Sequence, residues 1–141
     1  MDIQVATLCD HAADYNGKLC VTGSFDTIAG RQLPIVHSQC AIALRLCFRL
    51  GDEGQHKLGI RFIDADGGNI LNPPFEAKMN IAFPNDSFFM TRNIVISMQR
   101  VEFKQTGHYS IDVSIDDDIL SRIPVRVMLA NAQPQQQQPP S

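Results

Sequence analysis

Apolar residues recur at every second position along most of the chain, and turn-forming residues arrive about every ten positions. A period of two is typical of β-strands with one buried face, whereas a helix requires apolar residues every third or fourth position. The pattern therefore predicts an all-β fold without a long helix. We expect two antiparallel sheets packed as a β-sandwich of about seven to nine strands.

Local turn signals add detail to this sandwich. The Asn-Gly pair at 16–17 favours a type I′ turn that joins strands near 2–13 and 18–28. The segment 105–109 resembles the corner before a late strand of immunoglobulin-like sandwiches, where a tyrosine hydroxyl, here that of Tyr109, bonds back to the backbone. We therefore favour an immunoglobulin-like sandwich, with a jelly-roll-like sandwich or a barrel as the alternative.

The end of the chain has a different composition from the rest. Residues 130–141 are rich in glutamine and proline and carry no large apolar side chain. Such a segment has nothing to bury that would offset the entropy lost on ordering. We expect one β-sandwich domain over 1–129 and a disordered Gln/Pro tail over 130–141, in keeping with a chain of 141 residues.

Composition and charge argue against several classes of partner. The chain has 12 Lys and Arg against 15 Asp and Glu, a net charge of -3, which is not the basic excess of a nucleic-acid-binding domain. It contains no long apolar run of the kind that spans a membrane, and its first residues lack the features of a signal peptide. We expect a cytoplasmic protein with free thiols that binds neither nucleic acid nor membrane.

The third predicted strand runs from Cys40 to Leu50, and alternation places every second residue from Cys40 to Leu50 on the core face. The other face of this strand and the outward face of the fourth, near 57–62, carry a set of basic residues. These are Arg45, Arg49, Lys57 and Arg61. If residues 51–55 form the loop of a hairpin, the four residues make two like-charge pairs across the ladder, which require a nearby anion. Either Asp112 and Asp116 of a neighbouring strand neutralise them, or the patch binds a small molecule, another anion or a partner's carboxylates.

Two groups of residues have part of the pattern of a metal site. A calcium loop would use Asp64, Asp66 and Asn69. A zinc site would use Cys9, His11, His37 and Cys40. The first group lacks the full calcium-loop spacing and has the residues that turns require, and the second is unlike known zinc motifs. We expect no metal and no cofactor.

Sequence motifs of known enzymes are missing from the chain. Histidines at 11, 37, 56 and 108 could meet a cysteine or a serine in space, but no nucleophile elbow, phosphate-binding loop or zinc-protease motif is present. No catalytic residue is assigned. An enzyme of the hydrolase type is the third alternative for the function, after the two binding roles.

The aromatic pair Phe88 and Phe89 cannot both face one core, because successive strand residues point to opposite faces. Either the pair caps an open end of the sandwich, or one ring is exposed as a protein contact. We favour a non-enzymatic protein-interaction or structural module that binds another protein or forms a homo-oligomer. A module that binds a small molecule or an anion at the basic patch is the alternative.

An ordered series of short segments carries a family resemblance. The segments include Leu8-Cys9-Asp10, Gly23-Ser24-Phe25-Asp26, Ala43-Leu44-Arg45-Leu46, Glu53-Gly54-Gln55-His56, Gly107-His108-Tyr109 and Ile123-Pro124-Val125. Over residues 2–128 the chain resembles a family of small, uncharacterised bacterial all-β proteins catalogued as a domain of unknown function. The resemblance implies a β-sandwich, and it implies no activity or site residue.

Overall fold

The computed structural model describes residues 1–130, which form nine β-strands and no helix. The strands are β1 (Asp2–Tyr15), β2 (Lys18–Ser24), β3 (Thr27–Gly30), β4 (Ile35–Arg49), β5 (Gly54–Ile63), β6 (Phe75–Ile81), β7 (Phe89–Phe103), β8 (Gly107–Ile115) and β9 (Asp118–Leu129). Among these residues no helix is long and apolar enough to cross a bilayer. The all-β prediction is confirmed. The predicted tail lies outside the described residues from 131 onwards.

The strands form two sheets. Sheet A has the order β2-β1-β4-β7, and sheet B has the order β3-β9-β8-β5-β6. All neighbours are antiparallel except β3 and β9, which are parallel, so the prediction of wholly antiparallel sheets is wrong for that pair. The predicted single strand over 18–28 is also wrong. The chain leaves sheet A after Ser24, and Thr27–Gly30 joins sheet B beside β9.

The first hairpin forms as predicted. Asn16 and Gly17 both have positive φ values, 52° and 84°, as a type I′ turn requires. Tyr15 pairs with Lys18 and Ala12 pairs with Val21, which is the register expected for a two-residue loop. The turn chemistry of the Asn-Gly pair therefore determines this ladder.

One large core lies between the two sheets. Strand β4 contributes five inward side chains, which are all buried: Cys40, Ile42, Leu44, Leu46 and Phe48. Sheet B contributes Ile60 and Phe62 from β5 and Ile111 and Val113 from β8, all fully buried. Leu50 does not continue this face as the alternation predicts, because β4 ends at Arg49 and Leu50 is 62% exposed in the turn.

The predicted hairpin between the third and fourth strands is wrong. Strand β4 lies between β1 and β7 in sheet A, whereas β5 lies between β8 and β6 in sheet B. The turn at 50–53 therefore carries the chain from one sheet to the other. The physical reason is burial, since both β4 and β5 present apolar faces that meet across the core instead of lying side by side in one sheet.

A second, smaller apolar cluster explains the small residues on the outer face of β4. Ala41 and Ala43 are buried there beneath the β1–β2 hairpin. The cluster consists of Cys9, Ala12, Ala41 and Ala43, with Leu19 and Val95 packed against it. The hairpin therefore covers part of the outer face of sheet A, and small side chains on β4 allow it to approach closely.

Tyr109 joins the start of β8 to the loop before it. Its hydroxyl donates a hydrogen bond to the carbonyl oxygen of Gln105 at 2.7 Å, as the sequence predicts. Its ring packs edge-to-face against Phe103 and Phe62, with centroid distances of 5.3 and 6.1 Å. Burial of the phenol raises the pKa of Tyr109, and the three rings close one end of the core.

Candidate functional site

Three large apolar residues are exposed at the end of sheet A where β4 stops and β7 begins. We call Leu50, Phe88 and Phe89 the end patch. Phe89 pairs with Arg49, so Leu50 and Phe88 are the next facing positions beyond the ladder. The three side chains are 62%, 80% and 60% exposed, respectively. A cluster of this kind on a chain surface is typical of a protein contact.

Two hydrogen-bonded turns support the end patch. In the β4–β5 turn, Asp52 accepts a hydrogen bond from the Arg49 amide at 2.8 Å, and its own amide donates to the Arg49 carbonyl at 2.9 Å. In the β6–β7 connection, the Ser87 amide donates to the Pro84 carbonyl at 3.2 Å. These bonds fix the backbone on both sides of the patch, so Leu50 and Phe88 project from closed turns.

His56 ties the β4–β5 turn to sheet B. Its Nδ1 lies 2.6 Å from an Asp116 carboxylate oxygen, and its Nε2 lies 2.6 Å from the Asp52 carbonyl oxygen. Both neighbours are acceptors, so only the imidazolium form can donate to both. The hydrogen bond to Asp116, followed by that to Asp52, raises the pKa of His56.

The pKa values of the two aspartates in this network are lowered, whereas that of His56 is raised. The His56 hydrogen bond lowers the pKa of Asp116, and the Arg49 amide lowers the pKa of Asp52. The amino group of Met1 also lies 3.1 Å from the Asp52 carboxylate. The network is an anchor for the turn that carries Leu50, and both nitrogens of His56 are occupied in it.

The predicted basic patch is divided between the two sheets. Arg45 and Arg49 lie on β4 in sheet A, whereas Lys57 and Arg61 lie on β5 in sheet B. The like-charge pairs that motivated the patch do not form, because the two strands are not neighbours. Each half of the patch has its own hydrogen-bond and ion-pair partners within the chain.

Arg45 holds the first hairpin against sheet A. Its guanidinium donates to Gln4 at 3.0 Å, to the Gly17 carbonyl at 3.0 Å, to Asn93 at 2.7 Å and to Thr91 at 3.1 Å. Gly17 belongs to the hairpin turn, while Thr91 and Asn93 belong to β7. Arg45 therefore connects β1, the hairpin turn and β7, and four of its five N–H donors are in use. Arg49, by contrast, is exposed and pairs with Asp2.

The β5 half of the patch has acidic neighbours. Lys57 forms an ion pair with Asp117 at 2.8 Å, a contact that raises the pKa of the lysine. Asp116 instead accepts the Lys57 backbone amide at 2.9 Å. Arg61 lies in register with Asp112, which is buried and accepts a hydrogen bond from Ser110 at 2.6 Å. Acidic residues therefore accompany Lys57 and Arg61, with Asp117 in the place predicted for Asp116.

A groove of about 520 Å³ crosses the outer face of sheet B between these charged residues. Lys57, Arg61 and Asp112 line it, and Gly59 forms part of its floor. An added Cβ at Gly59 would lie 2.6 Å from the Ser114 hydroxyl, which would have to turn away to make room. The groove contains charges of both signs, so it is not a purely cationic anion site.

The calcium candidate is a turn. Asp64 accepts hydrogen bonds from the amides of Asp66 at 2.9 Å and Gly68 at 2.8 Å, as an aspartate that stabilises a turn does. Asn69 accepts from the Leu71 amide at 3.1 Å. Within residues 1–130, no three His, Cys, Asp or Glu side chains are arranged to hold a metal ion.

The four residues of the zinc candidate have separate environments. Cys40 lies in the main core, where burial raises its pKa to about 11. Cys9 lies in the smaller cluster and its thiol donates to the Ala41 carbonyl at 3.4 Å, while burial raises its pKa as well. The ring of His37 packs near Phe25, with centroids 5.4 Å apart, and His11 is exposed on β1. The two thiols are protonated and structural in this setting.

A cavity of about 640 Å³ opens at the opposite end of the molecule from the end patch. The β5–β6 loop, the second half of β7 and the β7–β8 loop form its walls. Its lining mixes apolar side chains such as Leu71 and Met98 with amides such as Asn69 and Gln105. The side-chain nitrogen of Asn69 is buried there without a hydrogen-bond partner.

The exposed edge of strand β7 was not predicted from the sequence. This strand is an outer strand of sheet A, and within the described residues it pairs with β4 only. Residues 93–99 form a run of seven uncharged residues between Arg92 and Arg100. That run was the available signal, because natural edge strands usually carry charges or prolines that block pairing.

The comparison with known proteins gives a family and no activity. Curated protein sequences give no match to this chain. The sequence profile of DUF6941, described as a family of unknown function, matches residues 4–128. This range includes all of the strands β2 to β8, most of β1 and β9, and the end patch. The chain therefore belongs to DUF6941, a family of unknown function.

Proposed function

We propose that this protein is a non-enzymatic protein-interaction module whose contact surface is the end patch. The observation that carries the proposal is the joint exposure of Leu50, Phe88 and Phe89, at 62%, 80% and 60%. Burying one such side chain is worth about 1.5–3 kcal/mol, so three adjacent ones provide a strong driving force for association. Aromatic residues at the centre of a contact are typical of the residues that dominate binding energy.

The scaffold that we propose for this surface is an immunoglobulin-like sandwich. Strand pairing supports it, since β4 pairs with β7, β5 with β8 and β8 with β9, as strands B with E, C with F and F with G do in that fold. The bond from the Tyr109 hydroxyl to Gln105 is also a feature of that fold at the start of strand F.

We propose that the partner is a protein, a second copy or another chain, in the cytoplasm. The net charge of -3 argues against nucleic acid as the partner. All four cysteines are free thiols, and three of them are buried, which agrees with a reducing compartment.

Site-specific photo-crosslinking tests the proposal. A benzophenone amino acid replaces Phe88, and a matched probe replaces Tyr15, which is 61% exposed at the end of the first hairpin. We expect protein adducts at position 88, either between copies of the purified chain or with another protein in an extract, and fewer at position 15. The variant Leu50→Ser should lower the yield at 88. Equal yields at the two positions would contradict the proposal.

A small-molecule site is the second candidate function, and the end cavity favours it. Its volume of about 640 Å³ is within the usual range for ligand pockets, and Asn69 contributes a buried donor without a partner. Small amides and carboxylic acids can be screened by thermal shift against the natural chain and Leu71→Trp, which fills the cavity. A compound that stabilises the first and not the second supports this function, and a screen without such a compound removes it.

A further inference from the structure

The four outer strands of the two sheets differ in how well they are protected from pairing. Strand β3 has only four residues, and β2 has seven with Gly23 near its end. Strand β6 also has seven residues, carries Glu76 and Lys78, and follows Pro73 and Pro74. Strand β7 has 15 residues, and its central run 93–99 carries neither charge nor proline. Of these four outer strands, β7 offers the longest unprotected edge.

The apolar side chains that β7 contributes to the core are also only partly covered. Ile94 and Ile96 face the core from β7, in register with Leu44 and Ile42 of β4. Leu44 and Ile42 are fully buried, whereas Ile94 and Ile96 are only half-buried. One further strand beside β7 would cover this apolar strip and would pair the free backbone groups of the edge.

We propose that β7 of a second copy of this chain is that strand, paired antiparallel across a twofold axis to give a continuous eight-stranded sheet. The inference rests on the proposed interaction function, since the β7 edge begins at Phe89 of the end patch. A matching strand must be long and unprotected, and of the four outer strands described above β7 alone has both properties. Such a contact is self-complementary and closes as a dimer.

The size of the contact is sufficient for a stable dimer. Side-chain alternation along β7 is regular from 89 to 99 and changes phase at Arg100, whose φ is 52°. Pairing of this regular part would form up to about 11 interchain backbone hydrogen bonds, the full number being reached with the twofold axis near residue 94, and this is within the range of a standard protein interface. Two Arg92 side chains directly opposite each other would repel, so we expect the twofold axis to pass within 93–99.

Light scattering coupled to size exclusion tests the proposal on the full chain. At micromolar concentration we expect twice the mass of one chain. Ser97→Lys adds a charge at an exposed position on the edge and should weaken dimerisation at least ~10-fold. The matched control Thr22→Lys adds the same charge at an exposed position on β2 and should leave the dimer intact. Thermal unfolding shows whether each variant is folded.

The possible outcomes separate this proposal from the one on which it rests. A monomer at all concentrations, or equal weakening by the two lysine variants, overturns β7 pairing. If that monomer still gives adducts with another protein at position 88, the interaction function survives and its partner is a different chain. If Ser97→Lys does not fold, Gln99→Lys replaces it, because Gln99 is exposed on the same edge. A folded edge variant that dimerises as tightly as the natural chain also overturns the proposal.

Discussion

The outer strands β6 and β7 show two ways to end a sheet. Strand β6 is short, follows two prolines and carries Glu76 and Lys78, which oppose pairing with another chain. Strand β7 is twice as long and lacks charge over its centre, and it begins at the exposed Phe89. The same chain thus protects one edge and leaves the other available. The contrast supports the proposal that the β7 edge binds a second strand, because a purely structural edge would gain from protection.

The largest expected effect is on the free energy of unfolding, and it differs between the centre of sheet A and its edge. Leu44 and Ile94 are register partners, one fully buried and one half-buried. Under conditions where the chain is monomeric, we expect Leu44→Ala to lower the free energy of unfolding by about 3–4 kcal/mol and Ile94→Ala by about half of that. Urea denaturation measures both values. Equal losses of unfolding free energy would show that Ile94 is as well covered as Leu44, which would contradict the difference between the centre and the edge of sheet A.

The second effect concerns the hairpin over the outer face of sheet A. Arg45→Ala removes four hydrogen bonds that join β1, the hairpin turn and β7, so we expect a loss of about 2 kcal/mol. Arg49→Ala is the matched control and should cost less than about 0.5 kcal/mol, because its ion pair with Asp2 is exposed. Hydrogen exchange should rise over residues 10–24 in the first variant only. Unchanged exchange there would mean that Arg45 does not hold the hairpin.

The third effect is a pH dependence of the stability that His56 and Asp116 contribute beside the end patch. The fold raises the pKa of His56, so its contribution to stability is complete below about pH 6.5 and is lost as the pH rises through the folded pKa. The fold lowers the pKa of Asp116, so that contribution is present above about pH 4 and is lost as the pH falls. The pair therefore stabilises the turn that carries Leu50 most between these limits.

The variant His56→Gln measures this contribution. Its deficit in unfolding free energy, relative to the natural chain, should be larger at about pH 5.5 than at about pH 8.5. His11→Gln, at an exposed position on β1, is the control and should show no such difference. A deficit that is the same at both pH values would contradict the anchoring role of the His56 network.

The smallest effect on stability sharpens the contrast between the two edges. Replacing Glu76 and Lys78 together by valine should change the free energy of unfolding by less than about 0.5 kcal/mol, since both side chains are exposed. The same change should create a second unprotected edge, and light scattering should detect assemblies larger than a dimer. Exchanging the two charges between these positions should create none. If the valine variant forms no larger assembly, charge does not protect β6.

The sequence predicted which face of a strand is buried better than it predicted which strands lie side by side. The alternation on β4 identified the buried side from Cys40 to Phe48, and Asn16-Gly17 determined the first ladder. A period of two does not say which strand lies beside which, so β4 and β5 were paired although they lie in different sheets. The small residues Ala41 and Ala43 were a signal for a different feature, because a hairpin packed closely on the outer face of β4 requires small side chains there.

The candidate site could be predicted only in part. Two adjacent phenylalanines at 88 and 89 cannot share one buried face, and both rings are exposed. The basic patch was wrong as a unit because it depended on the pairing of β4 with β5. Leu50 was assigned to the core because it continues the alternation, but the strand ends one residue earlier. Strand ends and strand order depend on contacts between distant segments, which a local pattern does not contain.

Hydrogen exchange of the β7 amides at low and high protein concentration tests the central claim most directly. In an antiparallel ladder the amides of alternate residues point to the same side, so those that face away from β4 are free in a monomer. We expect alternate amides within 89–99 to become protected as the concentration rises, while the amides of β6 stay unchanged. Protection of β7 that is independent of concentration, or absent at every concentration, would contradict pairing through this edge.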